Sequence, residues 1–178
     1  MKKLLILPIL FIFNGFPQSG FNFEFDYAQF RYDSTSNFLE LYYSFNQASL
    51  KLVTENSHTN LQGLLKVFIK NSETGDTVVY NYWKVQHDID TSLVSNQMLV
   101  GSLGFVVPKG NYICEVTGSV LNDASKSRII SEEIRITPFL HDDLRISDIQ
   151  LASKIIQGSE NKSSIFYKNT YEVIPIPN

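Results

Sequence analysis

The sequence predicts an all-β protein: an antiparallel immunoglobulin-like β-sandwich with an extended C-terminal segment. Three observations carry this. Apolar residues recur at every second position through most of the chain, as they must where successive side chains point to opposite faces of a strand. Clusters of turn-forming residues interrupt these runs at short intervals, which suits sandwiches and barrels of antiparallel strands. No segment before position 140 shows a convincing helical period.

The first twenty residues stand apart. Lys2 and Lys3 precede an apolar run from Leu4 to Phe13, and Asn14, Gly15, Pro17, Ser19 and Gly20 break it. A charged start, a short apolar middle and a small, polar end make a secretory signal peptide, expected to occupy residues 1–20. The run is about half the roughly 20 residues that a membrane-spanning helix needs, so no membrane span is expected once the signal is removed. No cysteine follows the run, so no lipid anchor is expected either.

Residues 21–140 are expected to form the sandwich. "FNFEFDY" places Phe21, Phe23, Phe25 and Tyr27 on one face, and "NFLELYYSFN" does the same for Leu39, Leu41, Tyr43 and Phe45. "DSTSN" separates the two. In "LLKVFIK", Leu65, Val67 and Ile69 face one way, with Lys66 and Lys70 opposite. "NSETGD", with Gly75 supplying a positive φ, turns the chain into "TVVYNYWKV". "QMLVGSLGFVV" follows, its glycines Gly101 and Gly104 read as a bulge or a close backbone approach. "VPKGNY" is a tight entry into "NYICEVTGSV", and "NDAS" leads on to "SRIISEEIRIT". Cys114 falls with Tyr112, Val116 and Val120, so it reads as a small buried apolar residue, not a reactive thiol. As the only cysteine it makes no intrachain disulfide, and the core must hold itself together.

"TPFLHDD" marks a break. Residues 141–178 read as an extension or linker towards a second domain. Leu144, Ile149, Leu151, Ile155 and Ile156 fit either a helix or two short strands; the favoured reading is a strand at 146–151 that pairs with the sandwich, with the polar stretch 157–164 a mobile connection and 166–178 loosely held.

Composition and motifs narrow the function. The 43% hydrophobic content and 13% aromatics over 178 residues suit one packed domain. The formal charge of −3 and the lack of a basic block argue against nucleic acid as a partner. His87 with Asp88 and Asp90, and His141 with Asp142 and Asp143, hold a metal ligand's residue types, but neither has three converging ligands at a metal-site spacing; a loosely bound calcium is the most those aspartates suggest. "GSLG" is not a nucleophile elbow, and no phosphate-binding glycine loop occurs. Glu132 and Glu133 point to opposite faces of one strand. No catalytic residue, no metal ligand and no cofactor is assigned. The single ligand-binding candidate is an aromatic platform of Tyr80, Tyr82 and Trp83, suited to a sugar face. It competes with a tryptophan packed in the sandwich core with the tyrosines at its edge.

Two further stretches carry a family likeness. Ser147, Asp148, Ile149, Leu151 and Ala152 match an "SDI-x-LA" phrase, and Phe166, Tyr167, Lys168, Asn169, Val173, Pro175 and Pro177 match "FYKNG-x-x-V-x-P-N-P". With "FLELYYSF" at 38–45 and "VPKGNY" at 107–112, the chain resembles the front part of the GWxTD domain-containing proteins, a family of exported bacterial proteins. It departs from the pattern at Thr170, where a glycine is usual, and at Ile176, where an asparagine is usual; the Gly-Trp-x-Thr-Asp signature is absent. The resemblance implies an N-terminal β domain of a longer protein and carries over no functional residues. The expected function is therefore a non-catalytic exported module of the periplasm, cell envelope or extracellular space. Its role would be structural or protein-interacting, its partner an envelope protein or its own downstream domain. The alternative is a glycan- or ligand-binding module.

Overall fold

The computed structural model describes residues 21–55, 58–89, 97–139 and 145–177; the expected signal peptide, Asp90, and His141 to Asp143 lie outside the described residues. Alternation in the sequence becomes strand after strand. β1 (Phe23–Arg31) and β2 (Ser36–Asn46) form an antiparallel pair, Phe23 opposite Phe45 and Phe25 opposite Tyr43. Asp33 closes their turn by accepting the backbone N–H groups of Thr35 and Ser36, 2.7 Å each. A 3-10 turn, Gln47–Ser49, leads into β3 (Lys51–Glu55) and then β4 (His58–Asn71). β5 (Thr77–Asp88), β6 (Met98–Pro108), β7 (Gly110–Val120) and β8 (Asp123–Ile136) complete the sandwich.

Two sheets result. The first has the order β1-β2-β6. The second runs β5-β4-β7-β8, with β3 pairing the first residues of β4 beyond the end of β7. β6 thus leaves β5 for the opposite sheet, and β7 returns beside β4. Such crossing connections make the immunoglobulin-like Greek key. The core lies between the sheets: Phe23, Phe25, Leu39, Leu41 and Phe45 from one meet Leu65, Val67, Ile69, Val116 and Ile134 from the other, all buried. Cys114 is fully buried among them, as its alternation with Tyr112 and Val116 predicts. Gly101 and Gly104 mark close approaches, but of aromatic rings and not of backbone: a Cβ would come within 2.2 Å of the Tyr43 ring at Gly101 and 2.3 Å of Phe38 at Gly104. The β2–β6 ladder is regular there, without a bulge.

The C-terminal segment departs from expectation. Residues 145–151 form no strand. Asp148 is pinned instead to the edge of β1, its carboxylate accepting the Gln29 N–H at 2.9 Å and its own N–H donating to the Gln29 carbonyl at 3.1 Å. Ile146 and Ile149, the apolar positions behind the expected strand, stay 84% and 80% exposed. The strand starts later, as β9 (Ala152–Gln157), and joins β10 (Tyr167–Lys168) and β11 (Tyr171–Pro175) in a third sheet of order β10-β11-β9. Residues 166–177 are therefore not a loose end: β9 supplies the partner that composition alone does not reveal, pairing Val173 with Ile155 and Glu172 with Ile156. Residues 158–166 form the turns between β9 and β10, Gly158 having φ 67°.

This third sheet lies against the outer face of β1-β2-β6. Ala28, Tyr42 and Ser44 point away from the core, yet each is at most 2% exposed. A shallow hollow of about 300 Å³ runs between Glu24, Ser44 and Val100 on that face and Ile174 and Pro177 of the tail.

The β10–β11 hairpin turns through Asn169 and Thr170, both with positive φ, 47° and 74°. Paired positive φ values make the tight hairpin turn whose second position favours glycine. A β-branched threonine there is strained by about 1 kcal/mol or more. Thr170→Gly, the residue the family likeness would place there, is expected to stabilise the chain by about 1 kcal/mol. Urea denaturation checks this, and a loss of stability would contradict the strain.

Candidate interaction face

The chemistry-bearing residues singled out in the sequence fall into separate places. β5 has its even-numbered side chains on the outer face of the sheet and Val79, Trp83 and Val85 towards the core. Tyr80 and Tyr82 are consequently together, their hydroxyls 2.7 Å apart, while Trp83 is on the opposite face, half-buried and edge-on to Phe105 of β6 at 6.1 Å. The platform of three expected from "YNYW" is thus divided by the pleat, because neighbouring residues of a strand cannot share a face.

The tyrosines acquire other neighbours. Register places Tyr80 opposite Phe68 and Tyr82 opposite Lys66 on β4. The Phe68 and Tyr80 rings meet at 90° with centroids 5.8 Å apart, Tyr80 and Tyr82 at 81° and 5.5 Å. The Lys66 ammonium stands 5.4 Å from the Tyr80 ring centre, a cation–π contact at an exposed site. The hydrogen bond to Tyr80 raises the pKa of the Tyr82 phenol above its ordinary value. Tyr80 is 57% exposed and Tyr82 48%, and Val78, Ile113 and Ile129 extend the exposed apolar surface across the same face. Lys66 and Phe68 are the residues that sequence reading did not join to the tyrosines. The signal was present, since the same alternation that sends Leu65 and Val67 inward sends Lys66 and Phe68 out.

A second cluster holds the tail. Lys168 on β10 pairs with the Glu40 carboxylate and with Gln150 Oε1 at 2.8 Å, over the Phe30 and Tyr42 rings at 5.2 and 5.3 Å. Tyr42 donates to Glu40 Oε2 at 2.6 Å, and burial, then Glu40, drives its phenol pKa upward. Lys168, Glu40 and Tyr42 are bound to one another and Gln150 accepts through Oε1, so the cluster is a clasp for the tail; within it only the buried Gln150 Nε2 lacks a partner among the described residues.

Elsewhere chemistry is sparse. Among the described residues no three His, Cys, Asp or Glu side chains gather as metal ligands, and no helix is long and apolar enough to cross a membrane. Glu132 and Glu133 are both exposed on β8, opposite Cys114 and Ile113 in register, and so on opposite faces. Comparison with protein families, with curated proteins and with solved structures finds no match.

Proposed function

We propose that this chain is a non-catalytic module of an exported cell-envelope protein, which binds another protein through the outer face of its β5-β4-β7-β8 sheet. One observation carries the reading: Tyr80, Tyr82 and Phe68 form an aromatic cluster on a solvated face, although the fold has a core to receive aromatics. Exposed aromatic surface of this kind is what protein-binding patches are enriched in. The partner is an envelope protein or a further domain of the same polypeptide. The leader-like residues 1–20 and the likeness to the GWxTD domain-containing proteins support an exported location. A glycan ligand fits the geometry less well. A sugar stacks on an open, flat ring, whereas these rings stand nearly perpendicular to one another.

Photo-crosslinking in the producing cells tests this. A benzophenone side chain at position 82 is expected to give a protease-sensitive adduct of higher mass, and the same probe on the opposite sheet, at Ser102, none. An adduct removed by glycosidase and resistant to protease would favour the glycan reading. No adduct at position 82 would leave only a structural spacer.

A further inference from the structure

The edge of the second sheet suggests what kind of partner this face takes. Among the described residues β5 pairs only with β4, so its other edge is open. Six consecutive edge residues, Val78 to Trp83, include no charge and no proline, the devices that ordinarily guard an edge. β8, at the far side of the same sheet, is guarded: it carries Lys126, Arg128, Glu132, Glu133 and Arg135, and Arg128 donates to the Phe23 carbonyl at 2.8 Å. The open edge also shows an amide held only locally. The Tyr82 N–H donates to the neighbouring Asn81 side chain at 2.9 Å and not to β4. Alternation in an antiparallel ladder turns the N–H groups of Tyr80 and Lys84 the same way.

Side-chain chemistry on the two faces of this edge differs. Outward, Lys66 and Lys84 are diagonal neighbours beside Tyr82, and among the described residues neither has a carboxylate partner. Glu115 of β7, in register with Phe68, is a diagonal neighbour of Lys66 on this face, and no ion pair joins them among the described residues. Inward, Val79 and the half-buried Trp83 lie at the rim of the core, each still partly exposed. Resting on the interaction-face reading above, we propose that β5 accepts an extended polypeptide segment as an added strand, one whose residues alternate acidic and apolar. The backbone of that strand takes the edge hydrogen bonds, its carboxylates meet Lys66 and Lys84, and its apolar side chains close over Val79 and Trp83.

Trp83 is the single tryptophan of the chain and reports directly on this. The experiment adds a decapeptide of alternating glutamate and valine to the full chain. Binding is expected to move the tryptophan emission to the blue and to slow amide exchange at Tyr80, Tyr82 and Lys84. Lys66→Glu with Lys84→Glu should weaken it at least tenfold, and the same peptide with lysine for glutamate should not bind. The acidic peptide's failure to shift Trp83 or protect the β5 edge, or equal binding of the lysine peptide, overturns the proposal. Protection of β5 that rises with protein concentration and needs no peptide also overturns it, since the occupant would then be a second copy. If crosslinks from position 82 persist while the acidic peptide fails, only this inference falls. If both fail, the interaction face falls with it.

Discussion

Cys114→Asp is expected to leave the chain unable to fold at neutral pH. Cys114 is fully buried at the centre of β7, in register with Ile69 on one side and Glu132 on the other. Burial first, and Glu132 second, pushes its thiol pKa up to about 12 from the ordinary 9.0. An environment that resists a thiolate resists a carboxylate as well, and the charged neighbour that acts on this position, Glu132, is itself an acid. An unpaired charge there costs several kcal/mol, against a typical domain stability of about 5–15 kcal/mol. The expected result is the loss of a cooperative urea transition at pH 7, with partial recovery near pH 4. The sign follows from linkage: burial raises the folded-state pKa of the new carboxyl above its unfolded value, so the penalty shrinks as pH falls and the group is protonated in both states. Cys114→Ala, which removes the sulfur and adds no charge, should retain a cooperative transition. In the native chain the same logic works at the alkaline end. The thiol's contribution is fully present below about pH 9 and is lost as pH rises towards 12. Native labelling by a polar thiol reagent should be slow, and an Asp variant of unchanged urea midpoint would show that position 114 is not in the core.

Period-two alternation made the sandwich legible because it is a local consequence of burial. Leu65, Val67 and Ile69 could be placed inward from "LLKVFIK" alone, and each is fully buried. The same rule applied one strand further would have separated Trp83 from Tyr80 and Tyr82 and joined the tyrosines to Phe68. What failed was a composition argument: three aromatics close in sequence are not close on a pleated strand. The tail was less legible for a different reason. Its order depends on contacts far apart in the chain, Lys168 with Glu40 and Asp148 with Gln29, and no local pattern encodes them. "SDIQL" has the apolar spacing of a strand, but a pair of bonds through Asp148 satisfies the segment at one point, and pairing resumes only at Ala152. The short β3, five residues beside β4, also escaped notice, since "KLVTE" is too short for its alternation to stand out.

Gly118→Val is expected to destabilise the sandwich nearly as severely as a change in the aromatic core, although nothing in "VTGSV" marks the glycine as special. Gly118 is on the inward face of β7, beneath Phe23 of β1. A Cβ added there would come within 2.3 Å of Phe23 Cδ2 and 2.4 Å of its Cγ, distances that no side-chain flexing at a far end can relieve. Phe23 cannot withdraw either: it is fully buried, its ring 4.9 Å from that of Phe45, and its strand is fixed to β2 by a regular ladder. The sheets must separate or the ring must leave its rotamer. Overpacking of this kind costs about 1–3 kcal/mol, and valine, branched at the clashing atom, belongs at or above the upper end. A double-mutant cycle isolates the cause. Phe23→Ala alone should cost about 3–5 kcal/mol by leaving a cavity. In that background the cavity receives the new side chain, so Gly118→Val should cost far less than it does in the native chain, a coupling of about 1 kcal/mol or more. Additive losses would show that the glycine's effect is on the strand backbone, through chain entropy or pairing with Leu65 and Arg128, and that the two sheets do not meet through a ring seated on a bare Cα.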